Sequence, residues 1–435
     1  MTSGVVAEIA AATAGRDRVL DAVKAAALAA VVVGHSLAWH IGPTGAPVNV
    51  LDLATGLTPL TWLFQVLPLF FAAGAVSNAA SLARSTSSQF TTRRTRRLGT
   101  PVVVYSAFWT VLLTIATAVV VLAGGQDGPI VDAGRFLSQL LWFAGVYTLV
   151  VAATPLTARW RSRPFLALTL WAGCVAAVDA ARAAGAPEAL GWLNFLLVWG
   201  WLGQLGYQLP TLRQVNKAVV GSVGLLLVAA AASVAYLGPY SMSLVTVSGD
   251  DELSNLAPPS MVLLLYGGGQ VLLLAALWPL LDKLLSSDRL WALVAVFGAR
   301  AMGVYLWHIP LVGIAALVAM SLDWQVAPLS APWWLVHLAV VVVVLPTAWY
   351  IAGLAGRAER LAGHTRRFFR MPPTVAALGM AITVLVISTA GFATLYGGGL
   401  FGLPTSALIN FVLLVLFWQA VGPVRSRTDP LESSR

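Results

Sequence analysis

Charge is what this sequence has least of: Asp, Glu, Lys and Arg make up 10% of its 435 residues, against about 25% in an ordinary soluble domain. With 59% of its residues hydrophobic, the chain has too little polar surface to cover a soluble fold. Cysteine is nearly absent. The single Cys174, inside an apolar stretch, excludes an intrachain disulfide and a thiolate metal cluster. Positive charge is missing from residues 1–15, and no short apolar core with a cleavage pattern follows, so no removable signal peptide is expected. The chain also lacks a nucleophile elbow, a P-loop, a dinucleotide fingerprint and zinc-type ligand spacing. No metal is expected, and no internal repeat is visible.

Long apolar runs fill the chain instead. They fall near residues 20–39, 57–81, 98–123, 136–154, 164–180, 191–209, 218–237, 260–281, 298–320, 333–354, 374–395 and 404–422. Most reach the roughly 20 residues that a bilayer core requires. The runs at 164–180 and 191–209 are the weakest, because Asn194, Gln204 and Gln208 lower their hydropathy. The expected fold is an all-α polytopic membrane protein, a bundle of about 10–12 transmembrane helices.

The basic residues set the orientation. The net charge is +9, but the arginines and lysines sit in short clusters between apolar runs, so nucleic acid is not an expected partner. With the N-terminus in the cytoplasm, 22 of the 26 Lys and Arg residues fall in cytoplasmic segments. The outside loops then hold Asp52, Asp127, Asp132, Glu188, Asp250, Asp251, Glu252 and Asp323. That split is the positive-inside pattern of a multi-pass plasma-membrane protein. It divides the chain into a cytoplasmic segment 1–16, a transmembrane domain 17–355, a basic cytoplasmic loop 356–373, two further transmembrane helices at 374–423 and a polar tail 424–435. The longest outside connection, 238–259, reads either as a solvated connector or as a cap over an external substrate entrance.

Three sites carry charge or chemistry where the membrane makes it costly. In the first run, Lys24 and His35 lie eleven residues apart, which on a helix leaves them within roughly 20° on one face and about 16 Å apart along the axis. Asp17 and Asp21 share the stripe. An intramembrane charge costs a few kcal/mol, so the seam asks for a polar or protein-lined cavity. Snorkelling to the surface is the plainer account of Asp17 and also covers Lys24. His35, deeper in the run, suits a general base, since neutral imidazole takes a proton near physiological pH. Arg93, Arg94, Arg96 and Arg97 form the second site. Guanidinium forks match phosphate oxygens, although positive-inside topology alone would also place such a run there. The third site is Tyr305 and His308, three residues apart on one helix face before Pro310; a packed, hydrogen-bonded histidine is the alternative. His40 reads as interfacial, and His337 and His364 as structural or solvated.

Taken in order, these pieces resemble the acyltransferase-3 family of membrane-bound acyl-CoA-dependent acyltransferases. Leu20-Asp21-Ala22-Val23-Lys24 with His35 looks like its first-helix signature, with lysine where arginine is commoner. Pro68-Leu69-Phe70-Phe71-Ala72-Ala73-Gly74 is similar to its second-helix segment, with Ala73 where serine is often found. Arg93 to Arg97, followed by Leu98 and Pro101, looks like its arginine-x-x-arginine element, pairing either Arg93 with Arg96 or Arg94 with Arg97. Tyr305-Leu306-Trp307-His308-Ile309-Pro310 resembles its late tyrosine-histidine segment.

The resemblance implies transfer of an acyl group, often acetyl, from cytoplasmic acyl-CoA to a hydroxyl of a cell-envelope carbohydrate, a glycolipid or a secreted metabolite. In that reading the four arginines hold the coenzyme A phosphates and His35 is the base, in direct transfer or by way of a transient acyl-histidine, while Asp21 orients Lys24. Lys24 stabilises the donor's negative charge or its approach path, and Tyr305 and His308 line the acceptor side or donate to the oxyanion. The competing class is a transporter or flippase using Lys24, His35 and His308 as a relay.

Overall fold

The computed structural model describes residues 2–246, 252–363, 370–393, 397–398 and 404–422. Asp250, Asp251, His364 and the tail 424–435 lie outside them. The helices of ten or more residues are, in chain order, α1 Ser3–Ala12, α2 Arg18–Leu37, α3 Leu67–Leu82, α4 Ser87–Leu122, α5 Gly128–Ser138, α6 Leu141–Thr157, α7 Pro164–Ala183 and α8 Leu193–Tyr207. They continue as α9 Lys217–Leu237, α10 Met261–Leu285, α11 Asp288–Gly298, α12 Ala301–Ser321, α13 Ala331–Gly363, α14 Pro373–Ala390 and α15 Ala407–Val421. Strands β1 (Trp39–Ile41) and β2 (Pro47–Asn49) form an antiparallel hairpin after α2, pairing His40 with Val48.

Among the described residues, ten helices are long and apolar enough to cross a membrane. The chain is therefore a multi-pass membrane protein, as its hydropathy predicts. In a bilayer every backbone group must be paired within the chain, and helices do this locally. Two of the expected runs are shorter than a full span: α8 and α15 have 15 residues each. The run at 164–180, weak in the sequence, is a full helix of 20 residues. Helix α13 extends to Gly363, so the first part of the basic segment 356–373 is helical.

The chain divides into two compact units. The first holds Met1–Ala80 and Leu156–Ala352. Its interior is filled by Trp199, Trp291 and Trp333, all nearly inaccessible. Asp17 caps α2, its carboxylate accepting from the Leu20 amide at 3.1 Å, and Asp21 in the first turn adds favourable charge at the positive end of the helix dipole. Backbones approach closely where side chains vanish. A Cβ on Gly303 of α12 would lie 2.5 Å from the Ala352 Cβ of α13.

The described parts of the connection after α9, residues 238–246 and 252–260, are tied down by hydrogen bonds. Gln65 donates to the Leu244 carbonyl at 2.7 Å, Asn255 to those of Ser241 and Ser243, and Trp62 to Met242. A buried carboxylate anchors its ends. Asp179 of α7 is 1% exposed and accepts from Met261 N (2.7 Å), Asn194 Nδ2 (2.8 Å) and the Tyr240 hydroxyl (3.1 Å), with Arg182 at 3.4 Å. Burial, with Asp179 opposite, pushes the Tyr240 phenol well above its ordinary range, so it remains a donor.

The second unit holds Ser81–Pro155 and Gly353–Arg435. Helix α4 runs 36 residues from a capping box in which Thr86 and Gln89 satisfy each other's backbone amides at 3.2 Å. Helices α14 and α15 pack on it; a Cβ on Gly99 would meet Met380 and Trp418. Gly391 ends α14 at φ 88°, a left-handed turn that glycine adopts without strain.

Candidate active site

In the first unit, α2 and α12 bring His35 and His308 together. The His35 Nδ1 and His308 Nε2 atoms are 2.9 Å apart, and the rings stack with an interplanar angle of 13°. His308 is completely buried, and its other nitrogen, Nδ1, lies 3.2 Å from the Val304 carbonyl one turn back on α12. His35 is half-buried. The local sequence explains the placement. Twelve of the 14 residues from Ala22 to His35 are Ala, Val, Leu or Gly, so this stretch of the helix offers its neighbours only the polar side chains of Lys24 and His35. Tyr305 is 7% exposed, its ring tilted against His308 with centroids 6.1 Å apart.

A hydrogen bond between two ring nitrogens needs one donor and one acceptor. If both rings were imidazolium, two N–H groups would collide, so the pair carries at most one positive charge. Such a pair can accept one proton and share it.

Lys24 lies eleven residues before His35 on the same unbroken helix, about 16 Å away along the axis. Its ammonium donates to Ser77 Oγ of α3 at 2.7 Å and stands 3.5 Å from Asp21 Oδ1. Ser77 in turn donates to the Ala73 carbonyl at 3.0 Å. Asp21 has a closer partner, Arg16 Nε at 2.7 Å. Asp17 is a helix cap that also pairs with Arg213 at 3.4 Å.

The arginine run lies on α4 in the second unit. Arg93 and Arg97 are exposed and Arg94 is half-buried. Arg96 is 4% exposed, donating to the Trp418 carbonyl at 3.0 Å and the Ala362 carbonyl at 3.4 Å, with its guanidinium 3.7 Å from the Trp418 ring centroid. Of the two pairings the sequence leaves open, Arg94 with Arg97 is the one whose members are both reachable.

His337 serves the fold. Its nitrogens lie 2.8 Å from the Trp333 carbonyl and 2.9 Å from that of Trp39, tying α13 to β1. His40 sits on β1, 6% exposed, its imidazole held below its ordinary range by burial and by the nearby His337. Among the described residues no three His, Cys, Asp or Glu side chains gather as metal ligands would.

Three features escape a reading of the sequence: the contact between His35 and His308, the Ser77 partner of Lys24, and the Asp179 anchor. The first has only a faint signal, two histidines in separate apolar runs. Ser77 follows the Pro68–Gly74 segment by one turn. Asp179 stands alone in an apolar run, which is itself a sign of a paired carboxylate.

In comparison with known proteins, a family model described as an acyltransferase domain, of the acyltransferase-3 type, matches residues 17–353. No curated protein and no solved structure matches the chain.

Proposed function

Since the chain belongs to the acyltransferase-3 family and is a membrane acyltransferase, we propose that it moves an acyl group, acetyl foremost, from cytoplasmic acyl-CoA to a hydroxyl of a cell-envelope carbohydrate, glycolipid or secreted metabolite. The observation that carries this reading is the His35–His308 pair, two imidazoles 2.9 Å apart on apolar helices. A pair that takes up and returns one proton suits transfer from a hydroxyl better than binding of a fixed charge.

In the reaction, His35 removes the proton of the acceptor hydroxyl as its oxygen attacks the thioester carbonyl. The C–S bond then breaks, and the departing thiolate takes the proton from His35. Ester and free CoA are the products, with atoms and charge balanced. Tyr305 donates to the developing oxyanion, and Lys24, held by Ser77 and Asp21, offsets negative charge on the donor. Arg93, Arg94 and Arg97 bind the phosphates of coenzyme A, and Arg96 braces that stretch of α4 through its carbonyl bonds.

The test is release of free CoA from acetyl-CoA by the purified protein in nanodiscs, with an envelope-glycan extract as acceptor source. Wild type is expected to release CoA only when acceptor is present, and His35→Ala to lower the rate by about 10²–10⁴-fold. Absence of binding and turnover with acetyl and longer donors, in folded protein, would overturn the reading and favour a transporter that uses Lys24, His35 and His308 as a relay.

A further inference from the structure

His308 cannot donate through both ring nitrogens while neutral, and the atoms facing it decide which one does. The Val304 carbonyl, 3.2 Å from Nδ1, can only accept, so the proton of neutral His308 sits on Nδ1. Its Nε2 is then a lone pair directed at His35 Nδ1, 2.9 Å away. His35 must answer with an N–H at Nδ1. In neutral His35 this leaves Nε2 unprotonated, as the only lone pair on either ring not already engaged.

We propose that His308 is a positioning residue that fixes the tautomer of His35, so that Nε2 of His35 is the nitrogen that takes the substrate proton. This deepens the acyltransferase reading and rests on it for the word substrate, while the tautomer itself is independent of any reaction. His308 thereby holds the place that a carboxylate takes in a Ser-His-Asp triad: it accepts from Nδ1 and stabilises the imidazolium once Nε2 is protonated. A neutral partner is the cheaper choice here, because a buried carboxylate inside a bilayer costs more than a buried imidazole. The Val304 carbonyl ends the chain, since a carbonyl supplies no proton to the other rings.

Two consequences separate this from a merely packed histidine. A side chain that accepts at the same place, as the amide oxygen of glutamine can, should preserve function, and an alkyl side chain should not. A proton added to His308 would turn Nε2 into a donor and force His35 to carry its own proton on Nε2, so that the base nitrogen is lost. The pair therefore titrates as a unit, and activity should fall on the acid side through a single apparent ionisation belonging to both rings.

The experiment uses the full-length protein with ¹⁵N-labelled histidine in nanodiscs. Long-range ¹H–¹⁵N correlations read which nitrogen of His35 is protonated, with the signal assigned by its loss in His35→Gln. The expected result is the Nδ1–H form in wild type and in His308→Gln, and a shift toward Nε2–H in His308→Ala. In CoA release, His308→Gln should keep kcat within about tenfold, and His308→Ala should lose about 10²-fold or more in kcat with the donor KM little changed. Nε2–H on His35 in the wild type overturns the proposal, as does an unchanged tautomer in a folded His308→Ala. Should wild type show the Nδ1–H form yet transfer no acyl group from any donor, the acyltransferase reading fails and the tautomer assignment stands.

Discussion

A guanidinium has five donors and no acceptor, so what surrounds it decides whether it serves the fold or a ligand. Arg96 spends its fork on two backbone carbonyls and lays its face on Trp418, whereas Arg97, one position on, is exposed. The two should respond to truncation in opposite ways. Arg96→Ala leaves carbonyls of Trp418 and Ala362 without this donor and should lower stability by about 2–4 kcal/mol, read as a depressed unfolding midpoint in detergent. Arg97→Ala should leave that midpoint where it is and raise the donor KM several-fold in initial-rate kinetics. A reversal, with Arg97 stabilising and Arg96 tuning KM, would remove the phosphate role from the exposed arginines. The same logic separates Lys24 from an ordinary snorkelling lysine: its ammonium is bonded to Ser77 on another helix rather than turned to solvent alone.

At the scale of elements, the site depends on where α12 stands. Gly303 lies five residues before His308 and leaves no room for a methyl group, because the atom it would meet is the Cβ of Ala352, which cannot swing aside. Gly303→Ala should therefore push α12 from α13, at a cost of about 1–3 kcal/mol, and stretch the 2.9 Å contact between His35 and His308. The expected signature is a loss of CoA release larger than the drop in thermal stability accounts for, with Ala352→Gly restoring part of it in the double variant. No recovery in that variant would mean the contact does not depend on this packing. Element existence was readable in advance, since apolar runs of bilayer length leave the backbone little choice but helix. Lys24 and His35 on one face of α2 also followed from helical periodicity. The pairing of His35 with His308 did not, because sequence spacing says which residues share a helix and nothing about which helices meet. Ser77 and Asp179 were hidden for the same reason: each acts through a partner at least 15 residues away in the chain.

For the whole molecule, the direction in which the helices run through the bilayer decides which compartment the arginines face. Acyl-CoA is made and kept in the cytoplasm, so the donor reading requires the arginine-rich segments to face it. The charge distribution asks for the same orientation, with arginines on one side of the membrane and most loop carboxylates on the other. Cys174 is the sole cysteine, so its replacement in Cys174→Ser gives a clean background for labelling. Ser88 is exposed at the start of α4, between Arg84 and Arg93, and Glu252 is exposed in the connection between α9 and α10. With a membrane-impermeant maleimide on intact cells, Glu252→Cys should label at once, and Ser88→Cys only after the membrane is opened. The opposite pattern would turn Arg93, Arg94 and Arg97 away from the compartment that holds acyl-CoA. A donor carried outside the cytoplasm would then be needed, and the proposed role of those arginines would fall even if His35 and His308 still moved the proton.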